Sequence, residues 1–413
     1  MAVEQTPLGT PQRVRRAHAS IATIYEFLGK YNRWLAELGA EACDFALGNP
    51  QTLPLPGFVD ALRAATFPQN PAWFAYKMSE PSSRDVVRAA LARLTGLDFP
   101  PENIFMTNGA TGALLVTMTA LTEAADEVIF NKPPWFFYEG MVWMAGGTPV
   151  GVDVRPDTFD LDVDAISRAI TPRTKYVIVN SPNNPTGKIY PPATLERLAR
   201  VLTDASRTFG KPIYLISDEA YRRIVFDGRT FESPVKFYKN SIMIYTYGKT
   251  LLTPGERIGY VALSPTMDDL DAVRTVMLST QILSGWAMTS AIAQHALPEI
   301  DRLSLDITDL ARRRDRLVDG LRGCGYDVMR PEGSFYVTPR APSADDVAFS
   351  DMLAREGVLC LPGSVVYLPG YVRASITASD AMIDRALPVF ARVRARVASP
   401  PDPLSISPRS VRR

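Results

Sequence analysis

The sequence predicts an α/β fold: a large domain with a mainly parallel seven-stranded sheet sandwiched by helices, and a small α+β domain formed by both chain ends. Two observations predict the large domain. Seven short apolar, β-branched segments recur between about residues 100 and 265, and amphipathic runs such as "PATLERLARVLTDASRTF" lie between several of them. Apolar strands alternating with helices are what a parallel sheet buried on both faces requires. The small domain follows from a change of pattern. After the charged amphipathic helix "LPEIDRLSLDITDLARRRDRLVDGL", short strands replace the alternation.

Taken in order, residues 1–55 read as an N-terminal arm and part of the small domain, helical and then loop-like around "ALGNPQTLPLPG". The apolar run in "IATIYEFLGKYNRWL" suits a partner surface or packing on the chain's own small domain. Residues 56–299 hold the seven strands "NIFMT", "EVIFN", "TPVGVDV", "KYVIVN", "PIYLIS", "SIMIYTY" and "GYVALS". Residues 300–397 follow with "YDVMRP", "SFYVTP", "VLCLP" and "YVRASIT", closed by the helix "MIDRALPVFARVRARV". The tail, 398–413, is rich in Pro and Ser and poor in apolar residues, which predicts disorder.

Composition narrows the function. Among 413 residues, 46% are apolar and 22% charged, and the net charge of +1 gives no electrostatic case for nucleic acid or an anionic membrane. No apolar run approaches the roughly 20 residues of a membrane span. Arg15 and Arg16 are followed by residues too polar for an export signal, so a cytoplasmic protein is expected. Cys43, Cys324 and Cys360 lie far apart with no CxxC spacing, so neither a disulfide framework nor a metal site is indicated. With only His18 and His295 available, the chemistry is not expected to rest on histidine.

In parallel α/β sheets ligands sit at the C-terminal strand ends, so the residues just after each strand carry the functional reading. After "NIFM", Gly109, Ala110, Thr111 and Gly112 open a helix. Its free N–H groups suit an anion, and a plain cap by Thr111 is the alternative. After "EVIFN", Trp135 and its aromatic neighbours are core or a plate for a planar ring. After "KYVIVN", "SPNNPTG" makes a tight turn, or aims the Asn184 amide into the crevice. Asp218 ends a very apolar strand, where a carboxylate is costly unless a cation or donor meets it, and Tyr221 lies three residues on. Lys249 follows "SIMIYTY", either as a surface charge or as a nucleophile held where water is scarce. Arg257 comes eight residues later. Their joint appearance on one sheet points to one site.

"SPNNPTG", "SDEAY" and the Lys249–Arg257 spacing inside "GKTLLTPGERIGY" resemble the class I/II aminotransferases, the aspartate aminotransferase superfamily of fold-type-I pyridoxal 5′-phosphate enzymes. "PEGSFYV" and "YVRASI" extend the likeness, which runs from Gly48 to Arg373. The resemblance implies a large cofactor-binding domain, with Lys249 forming a Schiff base to pyridoxal 5′-phosphate (PLP). It implies that Asp218 keeps the ring nitrogen protonated and that Asn184 and Tyr221 bond the ring 3′-oxygen. Trp135 stacks on the ring, while Ala110, Thr111, Thr246 and Arg257 hold the phosphate. Arg373 clamps the substrate carboxylate, and Gly48, Trp135 and Asn184 line the substrate side.

Tyr76 resembles the tyrosine that reaches a neighbouring subunit's phosphate, which implies a homodimer with shared sites. The implied reaction moves an amino group from an L-amino acid to a 2-oxo acid. A lyase, decarboxylase or oxidase on the same scaffold is the alternative, and a cofactor-binding regulatory module is disfavoured by the complete catalytic set. Two departures stand out. Gly248 replaces the serine common before the lysine, and no arginine matches the one that reads a distal carboxylate.

Overall fold

The computed structural model describes residues 9–285 and 288–398. All seven expected segments pair in one sheet, in the order Ile104–Thr107, Gly259–Leu263, Ser241–Thr246, Tyr214–Asp218, Thr174–Asn180, Glu127–Lys132 and Thr148–Asp153. Only Gly259–Leu263 runs against the rest. Between Thr246 and Gly259 lies no helix longer than the single turn Tyr247–Thr250, so the chain turns back antiparallel instead of crossing over the sheet.

Strand residues alternate between two apolar layers, as a period of two demands. Phe130, Ile178, Ile216 and Ile244 pack under the helices Gly109–Leu121, Tyr138–Met144 and Leu270–Leu283. On the opposite face, Ile129, Val177 and Leu215 meet the helix Pro192–Phe209. Met243, Tyr245 and Tyr260 meet Pro56–Ala65, Pro81–Thr95 and Ala291–Ile300. The sheet is thus enclosed on both sides, and the strand ends are the part of it left free to bind.

Both chain ends build the layer above those strand ends. Cys43–Asp44 pairs in parallel with Val358–Leu359. Val372–Ser375 lies antiparallel between Leu361–Pro362 and Tyr336–Val337. One apolar cluster joins Phe45, Phe335, Val337 and Val372 to Tyr221 and Phe226 from the large sheet's strand-end loop. That shared cluster seats the second layer over the crevice.

One expectation is corrected and one pair of alternatives is decided. "YDVMRP" forms no strand and makes only a single bridge, Val328 to Pro339; Pro331, with no N–H to donate, cannot extend a ladder. The apolar face of the N-terminal helix Ala22–Leu38 is spent within the chain. Ile24 packs with Leu361, Val365 and Val366, and Tyr31 with Ala354 and Leu359. Residues 399–413, nearly all of the tail expected to be disordered, lie outside the described residues.

Candidate active site

The strand ends open into a cavity of about 270 Å³. Gly48, Ala110, Thr111, Trp135, Asn184, Asp218, Tyr221, Thr246, Lys249, Arg257 and Arg373 all line it. Tyr76 does not: it stands on a loop, 90% exposed.

One end of the cavity is a cradle for an anion. The helix Gly109–Leu121 starts there with no acidic residue in its first turn and no side-chain cap, so its first N–H groups and its dipole face the space. Gly109 sits at φ 71°, and a Cβ on it would lie 2.6 Å from Arg257 Nη2. A Cβ on Gly259 would lie 2.9 Å from Gly109 Cα. The two glycines therefore let the helix start and Arg257 close in together. Arg257 donates to the carbonyls of Pro254 (2.7 Å) and Asn108 (3.4 Å) and has no carboxylate partner among the described residues. Although one edge is exposed, desolvation lowers its pKa. A phosphate would relieve that.

The middle of the cavity holds the amine and the carboxylate. The strand Ser241–Thr246 runs into the single turn Tyr247–Thr250, which swings Lys249 into the space. A Cβ on Gly248 would lie 3.0 Å from the Thr253 carbonyl, so the tight return of the chain explains why this position lacks a side chain. Lys249 Nζ lies 5.8 Å from the centre of the Tyr221 ring.

Asp218 is 4% exposed. Its carboxylate accepts from the Tyr138 hydroxyl (2.5 Å) and from the Ala220 N–H (3.2 Å). Burial raises its pKa, while Tyr138, the Ala220 N–H and Lys249 act against that. Burial prevails, so its pKa lies above the ordinary carboxylate value, and a cation beside it would bring that value down. Trp135, which lines the cavity, is held by edge-on contacts with Phe137 (5.2 Å) and Tyr138 (5.6 Å).

The far end carries Arg373, 2% exposed and without an acidic partner among the described residues. Its Nη1 donates to Asn184 Oδ1 (2.9 Å), its Nη2 to the Ala46 carbonyl (2.8 Å), and its Nε has no partner among the described residues. A buried guanidinium with an idle donor is a site for a carboxylate. With its oxygen occupied by Arg373, the Asn184 amide keeps its NH₂ for a second group.

Two lining or supporting residues escape a reading of the sequence. Tyr138 was one of four aromatics in "WFFY"; only its place in the first turn of the helix Tyr138–Met144 sends its hydroxyl to Asp218. Tyr336, in "SFYV", lines the cavity while also packing in the apolar cluster, whereas its neighbour Phe335 packs in that cluster alone.

An anion cradle, a buried carboxylate and an amine at the ends of one such sheet, with a buried arginine facing them from the second layer, are the equipment of a fold-type-I aminotransferase. The chain belongs to the class I and II aminotransferase family, whose model matches residues 44–390. It is 32% identical over 373 residues to the aspartate/prephenate aminotransferase of Thermus thermophilus, covering 88% of this chain and 93% of that protein. A solved amino transferase from Eubacterium rectale superposes with a TM-score of 0.88 at 29% identity, covering 95% of this chain and all of the other. The aspartate aminotransferase of Thermotoga maritima gives 0.81 at 25%, covering 91% and 98%. The protein is a transaminase.

Proposed function

We propose that the protein moves the amino group of an L-amino acid to a 2-oxo acid, using pyridoxal 5′-phosphate bound as an imine to Lys249. One observation carries this reading. Lys249 and the buried Asp218 share a cavity whose ends carry two arginines with no acidic partner among the described residues, Arg257 and Arg373. A phosphate suits one end, a protonated ring nitrogen the centre, and an α-carboxylate the other end.

In this reading Ala110, Thr111, Thr246 and Arg257 hold the phosphate, Trp135 covers the ring, and Asn184 and Tyr221 bond the ring 3′-oxygen. When bound, the cofactor supplies an electron sink for the charge released as the substrate Cα–H breaks. Asp218 holds the ring nitrogen protonated and keeps that sink deep. Arg373 fixes the α-carboxylate, with Gly48 leaving room beside it, so that Cα faces Lys249. With the cofactor bound, the Lys249 amine would be the base that takes the proton from Cα and carries it to the cofactor side. The enclosing second layer limits water in the crevice.

We further propose a homodimer in which Tyr76 reaches the partner's phosphate. This is supported by exposed apolar side chains on two stretches, Leu53, Phe67, Phe74 and Tyr76, and Val276, Ile282, Leu283 and Met288. The three cysteines are free, which suits a reducing compartment such as the cytoplasm. No helix among the described residues is long and apolar enough to cross a membrane.

The test is chemical. Borohydride should abolish the imine absorption of the purified protein and fix the cofactor to Lys249 in a peptide map. If Lys249→Ala still gave a reducible imine, the reading would fail.

A further inference from the structure

Tyr336 belongs to none of the roles assigned above, yet three separate elements converge on it. It opens the short strand Tyr336–Val337 and pairs with Ser375, which places Arg373 diagonally across on the neighbouring strand. The Arg373 guanidinium carbon consequently lies 4.1 Å from the centre of the Tyr336 ring. From the turn after Asp218, the Tyr221 hydroxyl donates to the Tyr336 hydroxyl at 3.4 Å, with the two rings edge-on at 6.0 Å. From the N-terminal side, a Cβ on Gly48 would lie 2.7 Å from the Tyr336 hydroxyl oxygen. Glycine is therefore what admits that hydroxyl. Tyr336 is 3% exposed, so its contacts are enforced by packing.

We propose that Tyr336 is a positioning residue of the active site: its ring holds the Arg373 guanidinium and its hydroxyl takes the Tyr221 hydrogen bond, in space left by Gly48. The proposal rests on the roles given above to Arg373 and Tyr221. A guanidinium has freedom about its long side chain, and an aromatic face beneath it fixes its plane. The carboxylate then meets a preformed fork. The hydroxyl acts on the other partner. Tyr221 has one hydrogen to give, and while Tyr336 accepts it, less of it is available to the ring 3′-oxygen.

The ionisable groups facing Tyr336 are Tyr221, Arg373 and Lys249, with Asp218 beyond Tyr221. Burial pushes both phenols up, but Arg373 and Lys249 bring Tyr336 below the ordinary tyrosine value while Tyr221 stays well above it. That order agrees with Tyr221 as donor and Tyr336 as acceptor.

The experiment uses the cofactor-loaded protein with L-aspartate and L-phenylalanine as probes, two amino acids that share only the α-amino acid portion. Binding is read from the cofactor's absorbance. In Tyr336→Leu, which removes the ring face, both dissociation constants should rise by the same factor, about tenfold. Gly48→Ala, which presses on the hydroxyl from the opposite side, should raise both in the same direction and serves if the leucine variant does not fold. Tyr336→Phe keeps the ring, so its affinities should stay within about threefold of wild type. Its pH midpoint for the cofactor absorbance should fall, because the released Tyr221 hydrogen then favours the unprotonated imine.

Unchanged affinities in both Tyr336→Leu and Gly48→Ala would overturn the proposal, as would a rise confined to one amino acid, which marks a side-chain contact instead. An unmoved midpoint in Tyr336→Phe would overturn the part played by the hydroxyl. Failure of the underlying reading looks different. The wild-type protein itself would then carry no imine absorption or would respond to neither probe, and the proposal would fall with it.

Discussion

Tyr138 donates its hydroxyl hydrogen to Asp218 across 2.5 Å, and both side chains are almost fully enclosed. The same tyrosine stands edge-on to Trp135. One residue thus fixes both the plate over the proposed cofactor ring and the carboxylate beneath its nitrogen.

Tyr138→Phe should keep the fold and the Trp135 packing while removing the donor. A hydrogen bond to a charged group is worth about 1.5–3 kcal/mol, so turnover should fall by about ten- to a hundredfold. Steady-state kinetics with any amino donor that the wild type accepts checks this. A variant within about twofold of wild type would show that the bond is only structural.

Asp218 makes stability depend on pH in the cofactor-free protein. Its folded pKa is raised by burial, so the folded state binds the proton more tightly than the unfolded state. Stability is therefore lost as pH rises from the ordinary carboxyl range through the raised value. Asp218→Asn lacks this loss. Relative to wild type, the asparagine variant should gain stability as pH rises above the ordinary carboxyl range, seen by urea denaturation of the stripped proteins. With cofactor bound, the wild-type loss should shrink, because a protonated ring nitrogen favours the carboxylate.

Gly109→Ala places a methyl group 2.6 Å from Arg257 Nη2 at a backbone φ of 71°. The fold should tolerate this at a cost of about 1–3 kcal/mol. Arg257 has to move, so affinity for the cofactor should drop by about tenfold or more, the equivalent of one charge-assisted hydrogen bond. Fluorescence titration of the stripped protein with PLP measures it, and unchanged affinity would refute the placement of the phosphate.

Leu283 is 86% exposed beside Ile282 and Met288. Leu283→Glu should convert the proposed dimer to monomer in sedimentation and lower activity at the same time. Tyr76→Phe should leave the dimer intact and weaken PLP retention by one hydrogen bond to a charged group, about 1.5–3 kcal/mol. A fully active wild-type monomer would contradict both expectations.

The strand-end residues were legible because each stands at a boundary that the sequence marks by itself. Asp218 and Lys249 follow apolar runs long enough to be buried strands, and "NPTG" and "NGATG" announce turns. The structure accordingly gathers Asn184, Asp218, Lys249 and Arg257 around one cavity. "YDVMRP" misled because two or three apolar residues with a proline give no register. The N-terminal helix was ambiguous for another reason. An amphipathic face states that something must cover it, but not whether the cover comes from the same chain.

The sequence by itself determined the sheet, the order of its strands along the chain and which residue types stand at their ends. These depend on local periodicity and on turn chemistry a few residues wide. Only the tertiary structure decided the pairings: Tyr138 with Asp218, Asn184 with Arg373, and Tyr336 between Gly48, Tyr221 and Arg373. Those contacts join positions 37 to 288 residues apart (373 − 336 and 336 − 48). They are fixed by how the second layer packs onto the sheet, because a buried polar group takes whichever partner the closed core leaves within reach.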